Sequence, residues 1–467
     1  MPSARSTAPD RTQRRLRAGI LVGLVAGTFW VVTEDRSTHS RELVAPTPPT
    51  VIALADLAPD APMMQRHGQH HPQHRPASSA PIAAATPNDP DAAPTWAIPA
   101  GAIDPKKART EDGKLVQDLE DGTRITFTLD PKLQRIAQET LARYDVEWGT
   151  VVAIRPKTGE ILAMAEYASG RPDLSRLSLS AAGPAASIFK IITSAALLEH
   201  ANLAPDAEAC THGGQNKLTL YNLKPNKRLD TKCETFAQAL GSSNNVAFAR
   251  WADSLLTPAQ LQETAERFLF SRRIPFPWAV GISQARVPFG SRLGFGRTAA
   301  GFEGTTLSPL HAAMITAAVG NEGAMMAPNL IASASLNGET VYTAEPQKLA
   351  DVMSKENARI LTEMLEASVT YGTGKKFFTR KGEPRLGKIR VGGKSGSLSG
   401  RHEEAKRHFS WFVALAPLDD PDIAVAALVV HGESWTVKGA VPARDVLAAW
   451  FDIRDASERP ARDPLAD

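Results

Sequence analysis

Two hydrophobic periods alternate along most of the chain. Residues 124–128 alternate polar and apolar side chains, which predicts a strand. Asp130 and Pro131 then form a helix start, because aspartate caps free amides and proline needs no amide donor at the first position. Two apolar runs, 149–155 and 160–165, follow with a short polar turn between them and predict a hairpin.

The middle of the chain keeps the helical period, and the end returns to strands. Helices are predicted at 187–200, 236–254, 258–268, 309–320, 355–370 and 443–451. Strands are predicted at 389–398, 408–416 and 422–430. Strands at both ends of a helical middle predict an α+β fold, with an antiparallel sheet flanked by helices and an additional all-helical lobe. We expect a functional cleft where the two lobes meet.

The N-terminal segment has the pattern of a membrane anchor. An arginine-rich tail, residues 1–17, precedes an uncharged run, 18–33, which ends before Glu34. This order predicts a single span in the inner membrane, with the rest of the chain in the periplasm or otherwise outside the membrane. The run is shorter than the roughly 20 residues that span a bilayer comfortably. The run ends in Phe29-Trp30-Val31-Val32 and not in a convincing Ala-x-Ala cleavage site, so an anchor is favoured over a cleaved signal peptide.

Residues 34–112 are rich in proline, alanine, serine and histidine and have little hydrophobic periodicity. Such a segment buries too little apolar surface to offset its ordering entropy, so it predicts a disordered linker. The linker contains His67, His70, His71 and His74. These histidines could bind metal, but biased linker composition is the favoured interpretation. The rest of the chain divides into a folded domain at 113–453 and a polar tail at 454–467.

Composition and cysteine content narrow the classes of function. With 43% hydrophobic and 22% charged residues the chain is globular over most of its length, and a net charge of +3 does not suggest nucleic-acid binding. Cys210 and Cys233 follow the predicted anchor and would lie in an oxidising compartment. A disulfide is favoured over free thiols. Two cysteines with His212 make an incomplete zinc site, so no metal is expected.

The candidate chemistry starts from Ser187 and Lys190, which stand three positions apart in a predicted helix. This spacing puts both side chains on one face, where the lysine amine can take the proton of the serine hydroxyl. Pro184 prevents a helix from starting earlier, so Ser187 lies near the helix N-terminus, where the helix dipole favours an alkoxide. Alone, the pattern also fits a capping serine beside a solvated lysine.

Two further motifs follow in a defined order. Ser243 and Asn245 precede an apolar helix, where they could also be helix caps only. A predicted strand then carries Lys394, Ser395, Gly396 and Ser397. The three motifs in this order match the set found in penicillin-recognising serine enzymes.

From about residue 125 to 451 the chain resembles the transpeptidase domain of penicillin-binding proteins. Residues 128–134 resemble the family's TLDPKLQ segment, residues 157–164 its KTGEILAM hairpin, and residues 307–311 the start of one of its helices. Two motifs depart from the common form. Lys394-Ser395-Gly396-Ser397 replaces Lys-Thr-Gly-Thr but keeps the hydroxyls, and Pro184-Ala185-Ala186 replaces Pro-Gly before the nucleophile.

The resemblance implies a role for each motif residue. Ser187 would be the nucleophile, Lys190 its base, and Ser243 a proton relay to the leaving amine. Asn245 would bind the peptide backbone of the substrate. The register of this motif is selected by the following Val-Ala-Phe, residues 246–248, which resembles the family pattern.

The strand motif would bind and polarise the substrate. Lys394 would supply positive potential beside Lys190, and the hydroxyls of Ser395 and Ser397 would bind the terminal carboxylate. Gly396 would allow the substrate to pair along the strand edge. The backbone amides of Ser187 and Ser397 would form the oxyanion hole.

The expected activity is that of a peptidoglycan D,D-transpeptidase that forms an acyl-enzyme on Ser187. The resemblance implies D-Ala-D-Ala stem peptides as substrates, β-lactams as inhibitors, no cofactor, and a glycan polymerase or another wall-assembly protein as partner. Because most of the residues before the domain are predicted linker, we expect neither a glycosyltransferase domain nor a folded pedestal there. Three alternatives stay open: a serine β-lactamase, a D,D-carboxypeptidase, and a non-catalytic sensor or scaffold. Between Asn245 and Lys394 the chain lacks the Glu-x-x-x-Asn pattern of class A β-lactamases, which disfavours the first.

Overall fold

The computed structural model describes residues 100–169, 176–214, 217–402, 405–432 and 437–458. The predicted tail at 1–17, the anchor at 18–33, most of the linker with its histidines, and the polar tail beyond residue 458 lie outside the described residues. Within the described residues, no helix is both long enough and apolar enough to cross a membrane.

An antiparallel sheet of five strands forms the centre of the fold, in the order β14-β15-β16-β4-β5. Its strands are β4 (Trp148–Ile154), β5 (Ile161–Ala168), β14 (Gly392–His402), β15 (Ala405–Ala416) and β16 (Ile423–His431). Every residue of β4 and β16 is buried, as expected for central strands covered on both faces. Strand β14 lies at the edge and pairs with β15 on one side.

The remaining strands form one more five-stranded sheet and three small pairs. The second sheet has the order β1-β2-β3-β9-β10. Its strands are β1 (Arg109–Glu111), β2 (Lys114–Asp118), β3 (Thr123–Phe127), β9 (Ile331–Leu336) and β10 (Glu339–Thr343). The pairs are β6 (Glu208–Thr211) with β7 (Lys232–Thr235), β8 (Ala324–Met326) with β11 (Lys348–Asp351), and β12 (Thr379–Arg380) with β13 (Glu383–Pro384). Strand β1 shows that folded structure starts before residue 113.

Twelve α-helices are present in the described part of the chain. They are α1 (Pro131–Arg143), α2 (Lys190–Ala201), α3 (Leu220–Leu223), α4 (Phe236–Ser242), α5 (Asn245–Leu255), α6 (Pro258–Arg267), α7 (Arg292–Ala299), α8 (Pro309–Gly320), α9 (Lys355–Leu365), α10 (Ala367–Thr370), α11 (Lys375–Phe378) and α12 (Ala440–Glu458). Helix α8 is buried along almost its whole length against one face of the central sheet, and α1 and α12 pack together on the other. Between β5 and β8 the described residues form α2 to α8 and the β6–β7 pair, so this lobe is mainly, not entirely, helical.

The predicted helix at 236–254 is wrong at one point, because the structure divides it into α4 and α5. Ser243 ends α4 in the left-handed conformation, with φ 61° and ψ 41°. Asn244 then accepts hydrogen bonds from the amides of Val246 and Ala247 and caps α5. The apolar period continues across this break, so periodicity alone could not locate it.

Candidate active site

The segment that carries Ser187 is a tight turn. A 3-10 turn, Ala186–Phe189, leads directly into α2, and Lys190 is the first residue of that helix. Ala186 is buried and has φ 49°, a left-handed conformation that is costly for alanine. The indole of Trp411 on β15 donates to the carbonyl of Pro184 at 2.9 Å and ties the turn to the central sheet.

Gly301 lets the chain pass the Ser187 turn at short range. It has φ +80°, and a Cβ there would lie 2.1 Å from the carbonyl oxygen of Ala186 and 3.2 Å from the amide nitrogen of Ser187. Neither the backbone conformation nor the space admits a side chain.

We expect Gly301→Ala to lower the free energy of unfolding by about 2–4 kcal/mol, because the methyl group must displace backbone atoms beside Ser187. Chemical denaturation measures this change. Gly338→Ala is the matched control, since Gly338 also has a positive φ but open space around its Cβ position. Equal losses in the two variants would show that the left-handed conformation, and not the close approach to Ala186, sets the cost.

Lys190 is completely buried and contacts three oxygen atoms. Its Nζ lies 2.9 Å from Ser187 Oγ, 2.7 Å from Asn245 Oδ1 and 2.6 Å from the carbonyl oxygen of Ala300. Ala300 follows the last residue of α7, where helix carbonyls have no partner within the helix. The amine is therefore held in one position by groups from α5 and α7 while it faces the serine.

The protonation state of Lys190 follows from its surroundings. Burial, together with the positive charge of Lys394, holds the pKa of Lys190 well below its ordinary value. A neutral amine has two N–H donors and one lone pair. Asn245 Oδ1 and the Ala300 carbonyl can only accept hydrogen bonds, so they take the two donors. The lone pair is then left to accept the hydroxyl proton of Ser187.

Asn245 contacts Lys190, and its predicted role did not include this contact. It is the first residue of α5, its Oδ1 receives Lys190, and its Nδ2 donates to the carbonyl of Gly214 at 3.2 Å. The structure thus brings Asn245 into the Lys190 contacts. Ser243, two residues earlier, is half-buried and held by the left-handed end of α4.

Asn244 links the Ser243–Asn245 segment to the β6–β7 pair through hydrogen bonds. Its Nδ2 donates to Thr211 Oγ1 at 2.9 Å and to Glu234 Oε2 at 2.7 Å. These acceptors directly follow Cys210 on β6 and Cys233 on β7, and the two cysteines are cross-strand partners joined in a disulfide. The disulfide therefore cross-links the hairpin to which the chain between α4 and α5 is hydrogen-bonded.

Opening this disulfide should weaken both the fold and the site. We expect Cys210→Ser/Cys233→Ser to lose about 3 kcal/mol of stability, because the cross-link closes a loop between residues separated by 23 positions. Acylation of Ser187 should slow by about tenfold, since Ser243 loses its support. Treatment with a reductant should reproduce both changes in the natural chain and leave the double variant unaffected. A lowered melting temperature with unchanged acylation would restrict the disulfide to a role in stability.

Strand β14 faces the Ser187 turn with Lys394 and Gly396. Lys394 is completely buried, donates to the carbonyl of Ser395 at 2.8 Å, and has its pKa lowered to about 7 by burial. A Cβ on Gly396 would lie 3.2 Å from Ile188 Cγ1 and 3.3 Å from its amide nitrogen. The close packing of β14 on the Ser187 turn therefore explains why residue 396 is glycine. The sequence had predicted a different reason, which was pairing of the substrate along the strand edge.

Ser395 and Ser397 alternate with these residues and point to the other face of β14. Ser397 is exposed, and Ser395 Oγ lies 2.6 Å from Thr373 Oγ1. Thr373 also contacts the carbonyl of Gly241 through its amide at 3.1 Å, so it connects β14 with α4. Thr373 was not among the residues predicted for the site.

The described residues contain no group of three or more histidine, cysteine or acidic side chains that could hold a metal ion. Both cysteines are in the disulfide, which removes the incomplete zinc site from consideration.

A family model described as the penicillin binding protein transpeptidase domain matches residues 149–448. The chain belongs to this family. The match confirms the resemblance predicted from the three motifs, and it spans the central sheet, the helical lobe and every candidate site residue.

Individual relatives of the family agree with this assignment. The chain is 26% identical over 346 residues to peptidoglycan D,D-transpeptidase PbpA of Mycolicibacterium smegmatis. This match covers 67% of the present chain and 68% of that protein. It is also 26% identical over 346 residues to stage V sporulation protein D of Bacillus subtilis, covering 66% of this chain. The match spans 50% of the length of that sporulation protein.

Solved structures of family members show the same fold. The D,D-transpeptidase domain of a peptidoglycan glycosyltransferase from Eggerthella lenta is 28% identical with a TM-score of 0.57, and the match covers 71% of this chain and 84% of that one. The penicillin G acyl-enzyme of penicillin-binding protein A from M. tuberculosis has a TM-score of 0.55 at 23% identity, with 70% of this chain and 80% of that chain covered. At that identity the likeness concerns the fold alone.

Proposed function

We propose that this chain is a peptidoglycan D,D-transpeptidase with Ser187 as nucleophile and Lys190 as its base. The observation that carries the proposal is the Lys190 amine, buried and below its ordinary pKa, with both N–H groups directed at oxygen acceptors and its lone pair facing Ser187 Oγ at 2.9 Å. A hydroxyl beside such a base is an activated nucleophile.

In the acylation step Ser187 Oγ attacks the carbonyl carbon of the penultimate D-alanine, and its proton moves to Lys190 Nζ. The backbone amides of Ser187 and Ser397 would hold the negative oxygen of the tetrahedral intermediate. The C–N bond then breaks, and the proton passes through Ser243 to the leaving amine, which departs as D-alanine. An ester on Ser187 remains.

In the second step an amine of a neighbouring strand attacks this ester. The amine gives its proton to Lys190, the C–O bond to Ser187 breaks, and the proton returns to Ser187 Oγ. One peptide bond is formed for the one that was broken, so the reaction needs no energy source and no cofactor. Lys394, Ser395 and Ser397 would bind the carboxylate that ends the donor peptide.

The place of action that goes with this chemistry is the outer side of the inner membrane. We infer a single anchor at 18–33, a linker that spans the distance to the wall, and stem peptides as substrates. A glycan polymerase or another wall-assembly protein would work beside the domain. The disulfide between Cys210 and Cys233 supports an oxidising compartment.

The test is labelling with a fluorescent penicillin, followed over time, with Ser187→Ala as the control. We expect a label that forms, stays for many minutes and is absent in the control variant. Rapid loss of the label would favour a β-lactamase. Absence of any label would favour a non-catalytic module, and release of D-alanine without cross-linking would favour a D,D-carboxypeptidase.

A further inference from the structure

Glu234 is a buried carboxylate that takes no part in the proposed chemistry. It lies on β7 next to the disulfide-bonded Cys233, and its side chain is fully buried. Asn244 Nδ2 lies 2.7 Å from its Oε2, and the Tyr371 hydroxyl lies 3.0 Å from its Oε1. Lys232, whose side chain is half exposed, adds an ion pair to Oε1 at 3.0 Å. Burying a carboxylate is unfavourable unless its oxygens have partners, and both oxygens have them here.

The neighbouring donors keep Glu234 ionised. Burial raises the pKa of this carboxyl, but hydrogen bonds from Asn244 and Lys232 outweigh burial and hold the pKa below its ordinary value. Burial and the hydrogen bond to Glu234 raise the pKa of Tyr371, so the phenol stays protonated and can donate. At neutral pH Glu234 is therefore an acceptor for both Asn244 and Tyr371.

Asn244 connects Glu234 to the second motif. Its Oδ1 caps α5 by accepting two backbone amides. Because Oδ1 is fixed by this cap, the side-chain amide cannot flip, and Nδ2 must face Glu234. Ser243 and Asn245 are the chain neighbours of Asn244, so their positions depend on this contact.

Tyr371 connects Glu234 to β14. The next residue, Gly372, passes α4 so closely that a Cβ there would lie 2.0 Å from the carbonyl oxygen of Gly241. The amide of Thr373 donates to the same carbonyl at 3.1 Å, and Thr373 Oγ1 lies 2.6 Å from Ser395 Oγ. A displacement of Tyr371 would therefore reach, within two residues, a hydroxyl that is proposed to bind the donor carboxylate.

We propose that Glu234 is a positioning residue that holds the Ser243–Asn245 segment and the Tyr371–Thr373 loop at a fixed separation. The proposal rests on the proposed function and assigns Glu234 an indirect part in it. Glu234 acts through the first segment on proton transfer and through the loop on binding of the donor carboxylate. Two acceptor oxygens in one planar group suit this position, because each segment takes one of them.

The two links predict different kinetic effects. Acylation by a fluorescent penicillin, followed up to saturating concentrations, gives an apparent dissociation constant and a limiting rate constant. The Tyr371 link supports carboxylate binding, so its loss should raise the dissociation constant. The Asn244 link supports Ser243 and Asn245, so its loss should lower the limiting rate constant.

The test is a double-mutant cycle on Glu234 and Tyr371. In Tyr371→Phe, which changes a half-exposed ring, we expect the dissociation constant to rise about fivefold and the limiting rate constant to stay within about twofold. In Glu234→Ala we expect the same rise and also a limiting rate constant that falls about tenfold. Adding Tyr371→Phe to Glu234→Ala should raise the dissociation constant no further, because the hydroxyl has already lost its acceptor.

Glu234→Gln keeps the test decisive if Glu234→Ala does not fold. The glutamine oxygen can accept from Asn244, and its amide can donate to the Tyr371 oxygen, because a hydroxyl both donates and accepts. Both links persist, so we expect both constants to stay within about threefold of those of the natural chain. A glutamine variant with a tenfold lower limiting rate constant would contradict the proposal, and so would an unchanged dissociation constant in Tyr371→Phe.

Two controls remove the same kinds of group elsewhere. Tyr167→Phe removes a hydroxyl that donates to Asp145 at 2.8 Å. Glu199→Ala removes a carboxylate that accepts two side-chain hydrogen bonds near the C-terminal end of α2. We expect both controls to keep the two constants of the natural chain, even where their melting temperatures are lower. Changes in Glu199→Ala as large as those in Glu234→Ala would overturn the proposal, since a general loss of stability would then explain both.

The same measurement separates the two levels of the argument. A natural chain that takes no label would refute the proposed function. A natural chain that takes label, with a Tyr371→Phe effect that is as large in the Glu234→Ala background as alone, would refute only the positioning role of Glu234.

Discussion

Replacing Lys190 by methionine should slow the acylation of Ser187 by penicillin by about 10²- to 10⁴-fold. Methionine has a similar length and no ionisable nitrogen, so it can fill the buried position without supplying a base. The amine that lies 2.9 Å from Ser187 Oγ would be lost, and the hydroxyl proton would have to pass to water. The second-order rate constant of fluorescent-penicillin labelling measures the effect.

The variant Lys190→Arg tests whether Lys190 acts as a base or only donates hydrogen bonds to its neighbours. Arginine keeps the donors for Asn245 Oδ1 and the Ala300 carbonyl, but it carries a permanent positive charge and cannot accept the proton of Ser187. We expect it to be as slow as the methionine variant. Thermal unfolding of both variants shows whether the fold is retained. An arginine variant that labels nearly as fast as the natural chain would refute Lys190 as the base.

The parts of the fold that sequence predicts well are those specified by local patterns. The caps at Asp130 and Pro131 start α1 as expected, and the apolar runs that became β4, β5, β15 and β16 leave little choice of element. The short motif around Ser187 was also recognisable, because a nucleophile and its base one helical turn apart are close in sequence as well as in space.

The parts that sequence did not predict depend on contacts between distant segments. The break between α4 and α5 is held by Asn244, whose partners Thr211 and Glu234 lie on the disulfide-linked hairpin. The acceptor that completes the Lys190 site is a backbone carbonyl, that of Ala300, 110 positions away. A carbonyl has no sequence signature, because every residue has one. Thr373 likewise becomes informative only when Ser395 is placed against it.

The rate of acylation by penicillin should also show a maximum below or near neutral pH and decline as pH rises through about 7. Burial lowers the pKa of Lys394 to about 7, so raising the pH above that value removes its proton and its charge. The carboxylate of penicillin then loses its electrostatic attraction to Lys394, and we expect the second-order rate constant to fall by about tenfold or more. Labelling rates measured from pH 5 to about pH 10 in steps give the profile.

The decrease of the acylation rate at low pH is expected from the protonation of Lys190. Its pKa is also lowered by burial, and the charge of Lys394 lowers it further, so Lys190 is the first of the two to lose its proton as pH rises. Below that pKa the amine is protonated and cannot act as a base, and the rate falls. The working range therefore lies where Lys190 is neutral and Lys394 is still charged.

Two comparisons assign the alkaline side to Lys394. In Lys394→Arg the charge persists at all accessible pH values, so the decline above about pH 7 should disappear while the acid side remains. A thioester donor that ends in a neutral amide should show a much smaller decline than one that ends in a carboxylate, since no ion pair is lost. A decline that stays at the same pH in Lys394→Arg, or that is equally large with the neutral donor, would assign it to a different group. In either case the loss of the Lys394 charge would not be the cause of the decline above about pH 7.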